Sequence, residues 1–246
     1  MTAGASTGLP FPLEPVVVVT GHYGVGKTNF ALNLALDAAA AGYRATLADM
    51  DVVNPYFRSN EYRDLLEGAG ARLIAPVFGH TGTSLDVPSV TGELAVAAAE
   101  AYRDETGRTI VIVDAGGDDV GATTLARFAP ALAAGPYAML YVVNAFRNLT
   151  QTSADAVAVL REIEAKSHLE ATAVVGNSHL QGETTKCPVY PGRGLDGRPS
   201  RCLHYRPHSG HSARKHGVNS TVGHSQWLCC ERVRQASLVL RAAHSA

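Results

Sequence analysis

A glycine-rich octapeptide near the N-terminus has the residues of a phosphate-binding loop. It reads Gly21-His-Tyr-Gly-Val-Gly-Lys-Thr28 and satisfies the pattern G-x-x-x-x-G-K-[ST]. The glycines of such a loop let successive backbone amides converge on phosphate oxygens, and the helix that follows adds the positive end of its dipole. The lysine reaches the β- and γ-phosphates, and the hydroxyl next to it binds Mg²⁺. These residues predict a nucleoside triphosphate site with Mg²⁺, and ATP is the nucleotide we expect.

A carboxylate ends the apolar run Thr109-Ile-Val-Ile-Val-Asp114. This is the Walker B pattern, in which an aspartate holds Mg²⁺ directly or through water. Gly117 follows at the spacing D-x-x-G, where a backbone amide can sense the γ-phosphate and couple its loss to a loop movement. The alternative role for Asp114 is a helix N-cap, but Asp118 and Asp119 are better placed for capping.

Two further polar positions follow predicted strands. Asp49 and Asp51 come after the second strand, and we expect Asp51 to orient the attacking water or to bind Mg²⁺ while Asp49 supports the turn. The alternative is a pair of solvated loop acids. Asn177 follows the run 171–176, and its amide can both donate to and accept from a purine base. Its alternative is an ordinary turn asparagine.

The predicted site thus has three sets of residues. The catalytic residues are Lys27 and Asp51, and the Mg²⁺ ligands are Thr28, Asp51 and Asp114. The nucleotide-binding residues are Gly21, His22, Tyr23, Gly24, Val25, Gly26, Lys27, Thr28, Asn29, Gly117 and Asn177.

The elements that must position these residues alternate between strand and helix. Apolar β-branched runs predict strands at 15–20, 44–48, 72–75, 109–113, 137–143 and 171–175. Helical spacing of apolar residues predicts helices at 27–41, 59–67, 92–103, 122–134 and 153–166. This alternation implies right-handed crossovers. We therefore expect an α/β fold with a doubly wound, mostly parallel sheet.

Charge divides the chain near Lys186. Residues 1–185 contain 11 Lys/Arg against 20 Asp/Glu, whereas residues 186–246 contain 10 against 2. All four cysteines, the single tryptophan and six of the ten histidines also lie after residue 185. We therefore expect a flexible N-terminus at 1–13, a nucleotide-binding domain at 14–185 and a basic tail at 186–246.

The tail has low apolar content and no helical or strand period, so we do not expect it to bury a core. Its composition is typical of a GC-rich gene read out of frame, which favours a truncation or frameshift near codons 178–186. The second interpretation is a genuine basic tail that is disordered. A zinc site is the third, although the spacings fit no common site; its candidate ligands are Cys187, Cys202, His204, His208, Cys229 and Cys230.

The N-terminal residues do not have the pattern of a secretory signal. No apolar run reaches the roughly 18 residues of a membrane-spanning helix. A cytoplasmic protein without a membrane segment is expected from this pattern.

Residues 15–185 resemble the MinD/ParA/CobQ-like group of P-loop nucleotide-binding proteins. The phrases that carry the resemblance are GHYGVGKTNFALNLA, DMDVVNPYFRS, VDAGGDDVGA and VVNAFRN, and they look like a bacterial subgroup described only as ATP-binding proteins. The resemblance implies ATP binding by Lys27 and Thr28, handling of Mg²⁺ and water by Asp51 and Asp114, and slow hydrolysis linked to a homodimer across the nucleotide site. It names no client protein. The group commonly has a lysine directly after the first glycine of the loop, where this chain has the shorter His22.

Three functions follow from these observations. The first is an ATPase or nucleotide-dependent switch that acts as an accessory factor. The second is a small-molecule ligase or kinase resembling dethiobiotin synthetase, with His80, Thr81 and Asp86 as candidate substrate residues in the loop 77–89. The third is a non-enzymatic DNA-associated module that uses the basic tail, although we do not expect nucleic acid to be the main partner.

Overall fold

The computed structural model describes residues 13–51, 62–75, 87–117 and 119–177, and the backbone of four strands between residues 202 and 229. The first six strands are β1 (Val16–Thr20), β2 (Arg44–Asp49), β3 (Arg72–Ile74), β4 (Thr109–Asp114), β5 (Tyr137–Val143) and β6 (Ala173–Gly176). The helices are α1 (Lys27–Ala40), α2 (Arg63–Gly68), α3 (Val87–Arg103), α4 (Asp119–Leu132) and α5 (Ser153–Ser167). The last strands are β7 (Cys202–Pro207), β8 (Ser212–Lys215), β9 (Val218–Thr221) and β10 (Ser225–Cys229).

The first six strands form a parallel sheet in the order β6-β5-β1-β4-β2-β3. The strand β1 lies between β4 and β5, so the loop that follows β1 emerges in the middle of the sheet. Because all six strands run the same way, the polar residues that follow them meet at one edge of the sheet. The predicted α/β fold with a mostly parallel sheet is confirmed.

Each face of the sheet has its own core, because successive side chains of a strand point to opposite faces. Val16 and Val18 of β1 pack in the cluster that includes the apolar residues of α3, α4 and α5. Val17 and Val19 pack on the other face with those of α1 and α2. The strand is therefore buried on both sides, which explains its unbroken run of valines.

Two helix boundaries differ from the predictions. The helix α3 begins at Val87 and not at Gly92, because Pro88 is tolerated in a first helical turn and the helix then continues through the glycine. The helix α4 begins at Asp119 and not at 122, so Asp119 is the first helical residue and not a residue ahead of the helix. Asp118 lies outside the described residues.

The remaining boundaries shift less. The strand β6 covers Ala173–Gly176 where 171–175 was predicted, and β4 extends one residue further, to Asp114. Residues 59–61 of the predicted second helix lie outside the described residues, and α2 covers Arg63–Gly68.

Four strands follow the predicted domain boundary, where the sequence pattern indicates no regular structure. The strand β7 pairs in parallel with β6 and extends the sheet, β10 pairs antiparallel with β7, and β8 and β9 form a separate antiparallel pair. Strand pairing uses backbone groups that every residue except proline supplies, so it does not need an apolar period. The boundary at residue 186 itself stays a prediction.

Among the described helices, none combines the length and the apolar character that crossing a membrane requires.

A carboxylate organises the turn that leads into β4, at the opposite edge of the sheet from the glycine loop. Asp104 accepts hydrogen bonds from the Thr106 hydroxyl at 2.6 Å, the Thr109 hydroxyl at 2.6 Å and the backbone N–H of Arg108 at 3.1 Å. The guanidinium of Arg44 on β2 lies 3.2 Å from the same carboxylate. These hydrogen bonds, that of Thr106 first, hold the pKa of Asp104 well below its usual range.

We predict that Asp104→Ala lowers the melting temperature at neutral pH, because several donors lose their acceptor. The folded pKa lies below the unfolded one, so this contribution is present above about pH 4 and is lost as the pH falls. The difference in melting temperature between the wild type and Asp104→Ala should therefore shrink towards about pH 2. The neighbouring exposed Glu105→Ala is the control and should melt like the wild type. A difference that does not change with pH would mean that the carboxylate charge plays no part.

Candidate nucleotide-binding site

The loop between β1 and α1 takes a backbone path that glycine favours. Gly21, Gly24 and Gly26 have φ angles of 148°, 74° and 91°, in the region that side chains disfavour. Gly26 caps α1 without any side-chain hydrogen bond, so the first backbone amides of the helix have no side-chain acceptor at the cap. A helix N-terminus without a side-chain cap suits an anion.

The ends of β5 and β6 press against the loop. A Cβ on Gly21 would lie 2.3 Å from the backbone oxygen of Val142, and a Cβ on Gly26 would lie 2.3 Å from Nδ2 of Asn177. A side chain at Gly21 would have to move the backbone of β5, and one at Gly26 would have to displace the side chain of Asn177. The loop therefore keeps its shape through contacts with distant parts of the chain as well as through its own dihedral angles.

The lysine and the hydroxyl of the motif lie inside the site. Lys27 and Thr28 are both buried at the start of α1, and the Lys27 ammonium donates a hydrogen bond to the backbone oxygen of His22 at 3.2 Å. A Cβ on Gly117 would lie 2.5 Å from both the Lys27 Nζ and the backbone oxygen of Gly21. The backbone of Gly117 thus lies directly against the lysine and the glycine loop, and only glycine fits there.

Asp114 is a buried carboxylate that the Thr28 hydroxyl approaches without making a hydrogen bond of ordinary geometry. It ends β4 with 0% exposure, and neither of its oxygens accepts a hydrogen bond from the described residues. Burial and then the charge of Asp49 raise the pKa of Asp114 to about 8, against the smaller lowering effects of Thr28 and Lys27. An unsatisfied buried carboxylate is costly, and a cation placed against it would remove that cost.

The donors in this region fit Mg²⁺. Asp114 supplies a carboxylate and Thr28 a hydroxyl, and Mg²⁺ commonly takes one or two protein oxygens and completes its shell with water and phosphate oxygens. Within the described ranges, no group of three or more His, Cys, Asp or Glu side chains could hold a metal ion by itself. The two protein oxygens of Asp114 and Thr28 leave room for the water and phosphate oxygens that Mg²⁺ commonly binds beside a nucleotide.

The acids Asp49 and Asp51 lie in different parts of the structure, the first in the sheet and the second in the turn that follows. Asp49 ends β2, is buried, and is paired in register with Asp114 across the two strands. Its Oδ1 accepts the backbone N–H of Asp51 at 3.1 Å, so Asp49 supports the turn that carries Asp51. Asp51 is half-buried and follows the sheet by two residues.

Asn177 makes a contact that its predicted role did not include. Its backbone N–H donates to the oxygen of Val143 at 2.8 Å, and its side-chain Nδ2 donates to the backbone oxygen of Val25 at 2.7 Å. Its Oδ1 is buried and accepts no hydrogen bond from the described residues. Contact with a purine base stays a prediction for that oxygen, whereas the amide nitrogen is already engaged by the glycine loop.

The remaining predicted residues lie around the loop. Tyr23, at the tip of the loop, is 55% exposed. Burial, and then the positive charge of Lys27, lowers the pKa of His22. The side chain of Asn29 faces along α1, where its Oδ1 accepts from Nδ2 of Asn33 at 3.0 Å.

Two residues of the β5–α5 loop were missed by the sequence analysis. Asn144 is buried directly after β5, and its Oδ1 accepts the backbone N–H of Phe146 at 3.0 Å. The Nε of Arg147 lies 3.9 Å from the position that a Cβ on Gly24 would take. Asn144 could have been identified from the sequence, because a polar residue after a buried apolar strand is the same pattern that identified Asp114 and Asn177.

Several predicted candidates lie outside the described residues. They are the loop residues His80, Thr81 and Asp86 and the tail residues Cys187, His208 and Cys230. For Cys202, His204 and Cys229 the structure describes the backbone strand only.

Comparisons with known proteins give similar solved structures but no family. No family model matches the chain, and no curated protein matches it. The signal recognition particle receptor FtsY of Elizabethkingia anophelis, in complex with GDP, is 20% identical over 70% of this chain and 51% of its own, with a TM-score of 0.45. The 54 kDa signal recognition particle protein of Aeropyrum pernix, also with GDP, is 19% identical over 68% and 35%, with a TM-score of 0.46.

The cell division protein FtsY of Thermotoga maritima is 20% identical over 70% of this chain and 56% of its own, with a TM-score of 0.46. The chain therefore spans between about a third and just over half of the length of these three structures. The sheet order, with the glycine loop after the central β1 and the buried aspartate at the end of the adjacent β4, gives the chain the α/β fold of a P-loop NTPase.

We predict that Asp114→Asn changes how stability depends on pH in metal-free and nucleotide-free buffer. The folded pKa of Asp114, about 8, lies above the ordinary carboxyl value of 3.8, so the folded state holds the proton more tightly. Its stabilising contribution is complete below about pH 4 and is lost as the pH rises through about 8. Between about pH 5 and about pH 9 the wild type should lose melting temperature that Asp114→Asn keeps.

Glu100→Gln, an exposed substitution on α3, is the control and should follow the wild type at every pH. If the curves of melting temperature against pH are parallel for the wild type and Asp114→Asn, Asp114 is ionised throughout and the burial argument is wrong.

Proposed function

We propose that this protein binds Mg-ATP at the β1–α1 loop and acts as a slow ATPase or nucleotide-dependent switch. The observation that carries the proposal is the fully buried carboxylate of Asp114, which accepts no hydrogen bond of ordinary geometry from the described residues and lies beside Thr28 and Lys27 at a loop of glycine amides. The buried Asp114 carboxylate is costly without a cation beside it. Together with Thr28, Lys27 and the loop amides, it matches the oxygens, the negative charge and the metal of a nucleoside triphosphate.

The chain's residues would divide the work as follows. The backbone N–H groups of the loop and of the first turn of α1 would donate hydrogen bonds to the phosphate oxygens, and Lys27 would neutralise charge on the β- and γ-phosphates. Thr28 and Asp114 would hold Mg²⁺, which would neutralise negative charge on the phosphates. In hydrolysis a water oxygen bonds to the γ-phosphorus as the bridge to the β-phosphate breaks, giving ADP and phosphate.

Asp51 would position the attacking water. It lies beyond the end of β2 on a turn held by Asp49, near the same edge of the sheet as Asp114. A half-buried carboxylate can accept a hydrogen bond from water and orient it for attack. Gly117, whose backbone lies close to Lys27, would report loss of the γ-phosphate through its backbone amide.

The choice of ATP and the assignment to the MinD/ParA/CobQ-like group rest on the sequence phrases quoted above. A homodimer across the nucleotide site belongs to the same proposal. His22 occupies the place of that group's second lysine, and its lowered pKa favours a neutral ring at pH 7. We therefore propose that this chain does not reach a partner's phosphates with a charged residue at position 22.

Lys27→Ala tests the binding site. We predict that Mg-ATP affinity falls about 100-fold, because a buried charge-assisted contact with phosphate is lost. Titration calorimetry of the full 246-residue chain measures this. Arg127→Ala removes the same charge from an exposed position on α4 and should leave the affinity unchanged. Equal affinity in the wild type and Lys27→Ala would show that the loop is only a structural turn.

Asp51→Ala separates binding from turnover. We predict that Mg-ATP affinity stays within about tenfold of the wild type while phosphate release slows about 100-fold, if Asp51 orients the water. Asp64→Ala, an exposed acid on α2, is the control. Loss of affinity and turnover by the same factor would assign Asp51 a structural role or a role in holding Mg²⁺ for binding.

A further inference from the structure

The side chain of Asn177 links the end of β6 to the glycine loop. Its Nδ2 donates to the backbone oxygen of Val25 at 2.7 Å, a contact between residues 152 positions apart in the chain. The Val25 carbonyl oxygen can only accept a hydrogen bond, so the Asn177 side chain must present its NH₂ group to it and not its oxygen. The contact is buried, and Asn177 is 2% exposed.

This hydrogen bond fixes a peptide plane inside the loop. The peptide between Val25 and Gly26 is trans, so its C=O and its N–H point in opposite directions. When Asn177 holds the Val25 oxygen on the β6 side, the Gly26 N–H is directed to the opposite side. Gly26 precedes Lys27, so its amide belongs to the group that must converge on phosphate.

Asn177 is itself held firmly. Its backbone N–H is bonded to Val143 of β5 at 2.8 Å, and its amide group fills the space beside Gly26 in which a Cβ could not fit. Asn177 therefore fixes the orientation of the loop relative to the sheet at this point. A glycine at φ 91° is otherwise free to rotate, because it has no side chain to restrict it.

We propose that Asn177 is a positioning residue for phosphate binding, which holds the Gly26 amide towards the nucleotide's phosphates through Val25. The effect is independent of the base. This inference rests on the proposed function, since it assumes that the loop binds phosphates. It differs from the role predicted from the sequence, in which Asn177 contacts the purine base.

The two roles separate when the base is removed from the ligand. Inorganic tripolyphosphate with Mg²⁺ has the phosphates of ATP but no nucleoside. We expect Asn177→Leu, which keeps the size and removes both polar atoms, to weaken Mg-tripolyphosphate and Mg-ATP by about tenfold each, the worth of one hydrogen bond. Titration calorimetry of the full chain gives both affinities.

A second variant isolates the donor. Asn177→Asp keeps the shape and one oxygen but loses the N–H₂ group at neutral pH. A buried carboxyl has a raised pKa, and once protonated it can donate to the Val25 oxygen again. Relative to the wild type at the same pH, tripolyphosphate affinity of Asn177→Asp should be lowest at about pH 8 and should recover towards about pH 5, while that of Asn177→Leu should show no recovery.

Val174→Ala is the matched control, because it removes buried atoms from the same strand on the face of the sheet opposite to the core that contains Val25 of the loop. It should lower the melting temperature without changing either affinity. Unchanged tripolyphosphate affinity in both Asn177 variants overturns the inference, and a loss confined to ATP assigns Asn177 to the base. Failure of the wild type to bind either ligand would instead reject the proposed function.

Discussion

Two carboxylates at the ends of neighbouring strands impose the main electrostatic constraint on this protein. The register of β2 and β4 places Asp49 beside Asp114, and both are buried at the edge of the sheet. Burial first, and then the charge of the neighbouring Asp49, raises the pKa of Asp114 to about 8, because two buried carboxylates cannot both ionise without cost. The strands cannot separate to relieve the repulsion, since their side chains form both cores. A proton can relieve it, and so can a cation that enters with a ligand.

The glycine loop depends on the same rigidity. Its φ angles suit glycine locally, but its position is set by Val142 of β5 on one side and by Asn177 after β6 on the other. Interiors are close-packed and transmit small displacements, so the loop can hold its amides in place only while these strand ends stay fixed. Preorganisation of this kind lowers the ordering cost that a ligand must otherwise meet.

The parts that could be predicted from the sequence are those whose signals are local. The glycine loop, Asp114 at the end of an apolar run and the alternation of strands and helices all depend on neighbouring residues. The contact between Asn177 and Val25 could not be predicted, because it joins residues 152 positions apart and depends on the lateral order of β1, β5 and β6. The early start of α3 was missed because Gly92 is a poor helix former whose cost is met within a long helix. The strands after residue 202 were missed because pairing at a sheet edge uses backbone groups that composition does not reveal.

The strand order divides the site into two chemically different halves. On one side of β1 lie β4 and β2, which end in Asp114 and Asp49. On the other side lie β5 and β6, which are followed by Asn144 and Asn177. A metal is attracted to the acidic half, whereas uncharged amides can fix backbone and nucleoside groups without repelling phosphate. In the proposed function, the phosphate chain would then lie between the halves, over the loop that follows β1. The central place of β1 in the sheet thus lets one short loop face both sets of residues.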